Sequence, residues 1–250
     1  MRNVRMAEGP NLRSSARLLS AFRYEQSDPD RFYRLLAEDT ASLIASFAGA
    51  GGLLGVEVGS GPGDIAEALR GKGARMVLID PDWDEMHCRQ RSLQSAVQAD
   101  GRRLPVADSV FDFSCSSNVL EHVPDPISIV GEMARVTVPG GTVFVNFTTW
   151  LSPFGGHETS PWHYLGGHYA MKRYTRAHGV PPKNRYGENL FPVRVSRFLR
   201  ELRTVSEIDV VAALPRYFPS WMRWVVRTPV LAELLAWNLT VVARKKCPRS

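Results

Sequence analysis

Apolar residues along this chain recur in two rhythms. From Asn11 to Ala48 they return every three or four positions, as Leu12, Ala16, Leu19 and Phe22 do, which is the spacing of one helix face. Asp28-Pro29 interrupts the pattern with a capping side chain and a proline suited to a first helical turn, so a second helix is predicted from about Asp30 to Phe47. The glycines at 49, 51 and 52 end it. Then the rhythm changes. Leu53 to Val58, Met76 to Ile79, Phe111 to Ser116 and Thr142 to Phe147 are short apolar runs of the kind that form buried parallel strands. Helical stretches, Ile65 to Arg70 and Pro126 to Val136, fall between them. Such alternation predicts an α/β fold with a parallel sheet and helices on both faces.

Two later strands are predicted, Val205 to Ala212 and Asn238 to Arg244. Arg223, Arg227 and Glu233 interrupt Trp221 to Ala243, so that stretch reads as a short helix pair and a final strand, not as a membrane span. Thr149 to Leu190 fits neither rhythm. It is rich in Gly, Pro, His and Tyr and too long for a plain connection, which suggests a lid. The predicted organisation is an N-terminal helical cap over 1–48 and a main domain over 49–250, with the lid at 149–190.

One turn carries the chemistry. Val56-Glu57-Val58-Gly59-Ser60-Gly61-Pro62-Gly63-Asp64 follows a predicted strand and precedes a predicted helix. Glycines there allow positive φ and let a ligand approach the backbone. A dinucleotide site places a glycine or alanine where this chain has Asp64, and a carboxylate there would repel a pyrophosphate. The same acid is tolerated beside a ligand carrying an ammonium and a sulfonium. Asp80 ends the next strand about 20 residues after Gly59, where an acid accepts hydrogen bonds from ribose hydroxyls. Asp80-Pro81 also reads as a plain turn cap.

The segments VEVGSGPGD, LIDPD, QADGRRLPVADSVFD, SSNVLEHVPDP and VTVPGGTVFV resemble, in order, the motifs of class I methyltransferases, over about Gly55 to Phe147. The resemblance implies a doubly wound, seven-stranded, mostly parallel sheet with an antiparallel last strand. It also implies S-adenosylmethionine as cofactor and S-adenosylhomocysteine as product. By the same resemblance the turn residues Glu57, Gly59, Ser60, Gly61 and Gly63 lie at the methionine part of the cofactor. Asp80 and Pro81 lie at the ribose, Asp100 and Gly101 near the adenine, and Ser117 and Asn118 on the methyl-transfer face. The flanks (FRYEQ, FGGHE, HYLGG, PKNRYG) are similar to a group of actinobacterial proteins known only as methyltransferases.

Methyl transfer to a neutral hydroxyl benefits from a general base, for which histidine is suited near neutral pH. Four of the six histidines (His157, His163, His168 and His178) crowd into the predicted lid, and His122 follows Glu121 just past the fourth strand. His157, His163, His122 and Glu158 are the catalytic candidates, each with structural packing as its alternative. Tyr164, His168, Tyr169 and Tyr186 are candidates for contacting substrate, or for a small core that orders the lid. Arg23 and Tyr24 would either meet the cofactor carboxylate or pack the cap. A metal site from His157, Glu158, His163 and His168 has irregular spacing, so no metal is expected.

Apolar residues make up 44% of the chain, enough for a full core. Arg2, Arg5, Arg13 and Arg17 are not followed by an apolar stretch, so no secretory signal is expected. The three cysteines lack ligand spacing and fit a reducing cytoplasm. The net charge of +6 is scattered apart from Arg244-Lys245-Lys246, which argues against nucleic acid as the substrate. The Trp-rich C-terminal region reads either as core or as a homodimer interface. The preferred reading is O-methylation of a small molecule such as a sugar or aromatic unit of a natural product. Its alternatives are a nucleic-acid methyltransferase and a non-methylating protein or cyclase on the same fold.

Overall fold

The computed structural model describes residues 28–88 and 95–248, together with residues 18, 20 and 21. Arg23 and Tyr24 lie outside the described residues. Helix α1 (Pro29–Ala48) starts as its sequence dictates: Pro29 opens it, and the Asp28 side chain accepts from the Arg31 amide at 3.2 Å. Its Ala41, Leu43 and Ile44 are buried against Phe113, Phe144 and Val242 of the sheet.

The sheet has seven strands: β1 (Leu54–Val58), β2 (Arg75–Asp80), β3 (Ala96–Gln98), β4 (Phe111–Ser117), β5 (Thr137–Thr148), β6 (Ile208–Pro215) and β7 (Asn238–Lys245). Their spatial order is β3-β2-β1-β4-β5-β7-β6. The first five run parallel, and β7 is antiparallel to both β5 and β6. The doubly wound, mostly parallel sheet expected from the sequence is therefore present.

Four further helices flank it: α2 (Asp64–Arg70), α3 (Trp83–His87), α4 (Pro126–Val136) and α6 (Val195–Glu201). One core lies between α1, α2 and the sheet face carrying Met76, Leu78, Phe113 and Phe144. The other lies under α4 and α6, against Val56, Val58, Val143, Val145 and Phe147. Strand residues alternate between these two cores, so both faces are apolar and the strands read as near-continuous apolar runs.

Three elements depart from the sequence reading. The insert contains a regular helix, α5 (Gly167–His178), whose inward face of Gly167, Ala170, Met171 and Tyr174 is made of small or half-buried residues and so gives a weak apolar signal. Strand β3 has three largely exposed residues at the sheet edge and leaves no hydrophobic run. Strand β6 begins at Ile208, because Val205 closes a 3-10 turn through its amide to Leu202, and it continues to Pro215. The chain after it forms a 3-10 stretch (Ser220–Arg227) and helix α7 (Pro229–Leu235), the pair expected between Trp221 and β7.

The strand order reverses between β1 and β4. Connections leave these neighbours in opposite directions, which opens a crevice at their carboxyl ends. The glycine turn and the segment Ser117 to His122 both lie there.

Candidate active site

The turn after β1 is shaped by backbone conformation. Gly59, Gly61 and Gly63 have φ of +72°, +48° and +79°. A Cβ on Gly59 would strike the Val119 side chain, so the turn and the post-β4 segment touch where only a glycine fits. The amides of Gly59 and Ser60 both donate to the Ile79 carbonyl, at 2.8 and 3.2 Å, which fastens the turn to β2. The Ser60 hydroxyl is buried and has no hydrogen-bond partner among the described residues.

Asp80 completes the lower wall. Its buried carboxylate accepts from the Gly61 amide at 2.8 Å and from the Asp82 amide at 2.9 Å. Pro81 is exposed beside it. Asp100 is exposed and paired with Arg102 at 2.6 Å, which holds its carboxyl below the usual range. Neighbouring Gly101 is buried, and a Cβ there would meet Val58 at 2.7 Å. These residues fit S-adenosylmethionine: a cradle without side chains, a free buried hydroxyl and a fixed acid stand around one crevice.

Glu57 takes a different place from the one the resemblance implies. It faces the α2 core, where it is buried and accepts from the Ala66 amide at 2.9 Å. Burial raises its pKa to about 8, assisted by the nearby charges of Asp64 and Asp80. It braces the turn from beneath.

On the opposite wall, Ser117 donates to Asn146 Oδ1 at 2.7 Å. Asn118 has φ +54°, and its side-chain oxygen accepts from Asn238 at 2.9 Å. Val119 then lies on Gly59, and its carbonyl receives the His122 amide at 2.8 Å. His122 is thereby fixed one turn away from the glycine turn.

Of the four catalytic candidates, the fold brings His122 and His157 together, with ring centroids 5.1 Å apart. Burial lowers the pKa of His157 to about 4, assisted by the His122 ring, so it is neutral near pH 7. Glu158 points elsewhere: it is exposed and held by Asn184 at 3.0 Å. His163 is buried, with its ring 5.2 Å from Trp150 and 4.1 Å from Tyr164. The metal set considered from the sequence is split for the same reasons. His168 packs 5.0 Å from Tyr186, which in turn sits 5.1 Å from Trp150, while Tyr164 and Tyr169 are about half exposed. Tyr186 thus joins Trp150 and His163 in a small aromatic core inside the insert, with His168 and Tyr164 packed on its outer side.

Glu121 was not singled out by the sequence, and it is the central acid here. It is buried, its Oε1 accepts from the Thr148 amide at 2.9 Å, and burial pushes its pKa up. An acid next to a histidine just past a central strand was its only signal. A cleft of about 440 Å³ opens beside the same segment, lined among others by Val123, Ile127, Phe191, Arg194 and Phe198.

Comparison with known proteins agrees with this architecture. Residues 56–145 match a family described as "Methyltransferase domain". An uncharacterized methyltransferase of Mycobacteroides abscessus is 45% identical over 96% of this chain and 97% of its own. An S-adenosylmethionine-dependent methyltransferase structure from Mesorhizobium loti superposes with TM-score 0.56 at 21% identity, covering 84% of this chain and 98% of that one. The [4+2]-cyclase SpnF superposes with TM-score 0.54 at 18% identity, covering 84% and 81%. The 45% identity to a methyltransferase along nearly the whole of both chains means that the chain belongs to the methyltransferases, and its sheet order and glycine turn are those of the class I fold.

Proposed function

We propose that the protein methylates a hydroxyl of a small molecule, using S-adenosylmethionine. The observation that carries this reading is the position of the His122–His157 pair. His122 stands one turn beyond Val119, which itself lies against the glycine turn, and the ring of His157 packs on that of His122. The cofactor supplies an electrophilic methyl group on a sulfonium. The protein's own work is alignment and proton handling. The Gly59–Gly63 turn and Asp80 hold the donor. Ser117 and Asn118, fixed by Asn146 and Asn238, shape the wall toward the acceptor. An imidazole nitrogen of His157 or His122 accepts the hydroxyl proton. The insert, with its core of Trp150, His163 and Tyr186, covers the crevice.

Sugar or aromatic hydroxyls suit the half-exposed Tyr164 and Tyr169 that the insert presents. The acceptor is a free small molecule, and the exposed Trp221 and Trp224 are the surface on which a homodimer would form. No helix among the described residues is long and apolar enough to cross a membrane. The three free thiols suit a reducing cytoplasm.

The test has two arms. S-adenosylhomocysteine should raise the melting temperature and NAD should not. Radiolabelled methyl transfer to a panel of phenols, sugars and amines should then label hydroxyl compounds. Stabilisation by NAD alone, or transfer confined to amines or RNA, would sink the reading.

A further inference from the structure

We propose that Glu121, His122 and His157 bind one divalent cation of the borderline class typified by Zn²⁺ and Co²⁺. The sequence suggested no metal, because it offered only the irregular spacing inside the insert. The fold instead brings a residue pair from beyond β4 against one residue of the insert, 35 positions away in the chain.

Three observations converge on this spot. One potential ligand atom from each of the three residues lies within 4.8 Å of the other two. Two polar atoms here are buried with no hydrogen-bond partner among the described residues: Glu121 Oε2 and His157 Nε2. Glu121 is itself 2% exposed, and its other oxygen is engaged by the Thr148 amide, which fixes the carboxylate. The third observation concerns His122. Its Nδ1 lies 2.8 Å from the Asn189 carbonyl oxygen. A carbonyl only accepts, so Nδ1 carries the proton and the lone pair is left on Nε2. Metal-ligating histidines are commonly oriented in this way by a backbone carbonyl on the second ring nitrogen.

The donor set selects the cation. Two imidazoles and one carboxylate suit Zn²⁺, Co²⁺ and their neighbours in the first transition row better than Mg²⁺ or Ca²⁺, which favour oxygen. Bonds of roughly 2 Å place tetrahedral ligands about 3.3 Å apart, so binding would draw the three groups closer than they now stand. Three protein ligands leave coordination positions free for an oxygen-bearing acceptor. The inference rests on the acceptor placement proposed above. With a cation bound, the two histidines would act on the acceptor proton through the metal: as ligands they would hold a Lewis acid that lowers the pKa of a coordinated hydroxyl, whose proton then leaves to solvent.

The test is a Co²⁺ titration of the tag-free full chain, followed by visible ligand-field absorption. The expected result is a saturable band with one Co²⁺ per chain, bleached by stoichiometric Zn²⁺ and unaffected by excess Mg²⁺. Glu121→Gln, which retains an acceptor for the Thr148 amide, and His157→Ala should each weaken Co²⁺ binding at least tenfold. His178→Ala, on the exposed end of α5, should leave it unchanged. Circular dichroism and melting curves identify any variant that fails to fold, and Glu121→Gln carries the test if His157→Ala does. Absence of a saturable band, a band that survives both variants, loss of the band in His178→Ala, or displacement by Mg²⁺ would each overturn the proposal. S-adenosylhomocysteine binding, measured on the same samples, reports separately on the methyl-transfer reading.

Discussion

The Gly61 amide donates to Asp80 Oδ2 across 2.8 Å, so the glycine turn and the acid ending β2 form one hydrogen-bonded unit. Asp80 also takes the Asp82 amide on its other oxygen. Its carboxylate is therefore held in place before any ligand arrives. Asp80→Asn keeps one acceptor but replaces the second by a donor facing an amide. Hydrogen bonds to a charged group contribute about 1.5–3 kcal/mol. S-adenosylhomocysteine affinity, measured by calorimetry, should fall by roughly 10- to 100-fold. Unchanged affinity would remove Asp80 from the cofactor site.

Gly59 and Gly61 should respond differently to alanine. At Gly59 the added Cβ meets Val119, whereas at Gly61 the nearest atom is Glu85 at 3.9 Å. Both positions carry the positive-φ penalty of about 1 kcal/mol or more. Only Gly59→Ala adds overpacking, of about 1–3 kcal/mol. Urea unfolding should rank Gly59→Ala as the more destabilised, and adding Val119→Ala should restore part of the loss.

Glu57 gives the protein a pH signature. Burial raises its pKa in the folded state to about 8. Between its ordinary value near 4.5 and about 8, the folded state binds more protons than the unfolded state. Stability contributed by this group is thus present below pH 4.5 and is lost as pH rises through 8. A tenfold difference in proton affinity between the two states corresponds to about 1.4 kcal/mol. Denaturant midpoints at pH 5 and pH 8 should show a decline of a few kcal/mol in the wild type, relative to Glu57→Gln. Equal slopes for the two proteins would contradict this.

His157 and His163 lie six positions apart but occupy different surroundings. His157 faces His122 at the crevice, while His163 is packed beneath Trp150. General acid–base groups contribute roughly 10²–10⁴ in rate. His157→Ala should lower methyl transfer at least 100-fold with little change in melting temperature. His163→Ala should lose about 2–3 kcal/mol of stability, as core truncations do, with less than a tenfold effect on rate per folded molecule. The reverse pattern would exchange their roles.

Arg216 is a fully buried guanidinium tied to α1. Its Nη2 donates to Asp39 Oδ2 at 2.7 Å and to Thr40 Oγ1 at 3.0 Å. Burial lowers its pKa, with Asp39 opposing that change. Asp39→Asn removes the counter-charge and strands the cation, which should reduce stability by about 3 kcal/mol. Arg216→Met, which removes the charge together with its need for a partner, should be less damaging in the same chemical-denaturation experiment. A milder effect for Asp39→Asn would mean that the pair is not the anchor of α1.

The parallel strands were legible because both of their faces are buried. That turns β1, β2, β4 and β5 into apolar runs which local pattern alone reveals. The glycine turn was legible because backbone conformation selects its residues directly. Helix α5 was not, since its inward face of Gly167, Ala170, Met171 and Tyr174 is built from small or polar-tipped residues that do not stand out as an apolar run. Of the insert's candidates, Glu158 faces Asn184, and His163, Tyr164 and Tyr186 support one another. Composition marked the segment as special without saying which side chain faces the crevice.

By itself, the sequence determined the fold class and the cofactor, and it marked a glycine turn and an acid that the fold joins by a hydrogen bond. Each of these depends on residues close together in the chain, whose spacing is set by strand and turn geometry. Only the tertiary structure decided that Glu121 and His122, at the end of a central strand, meet His157 of the insert. That meeting depends on how the 149–190 excursion folds back over the sheet. Its course is fixed by long-range packing around Trp150 and by the Asn189 carbonyl on His122, which no local pattern encodes.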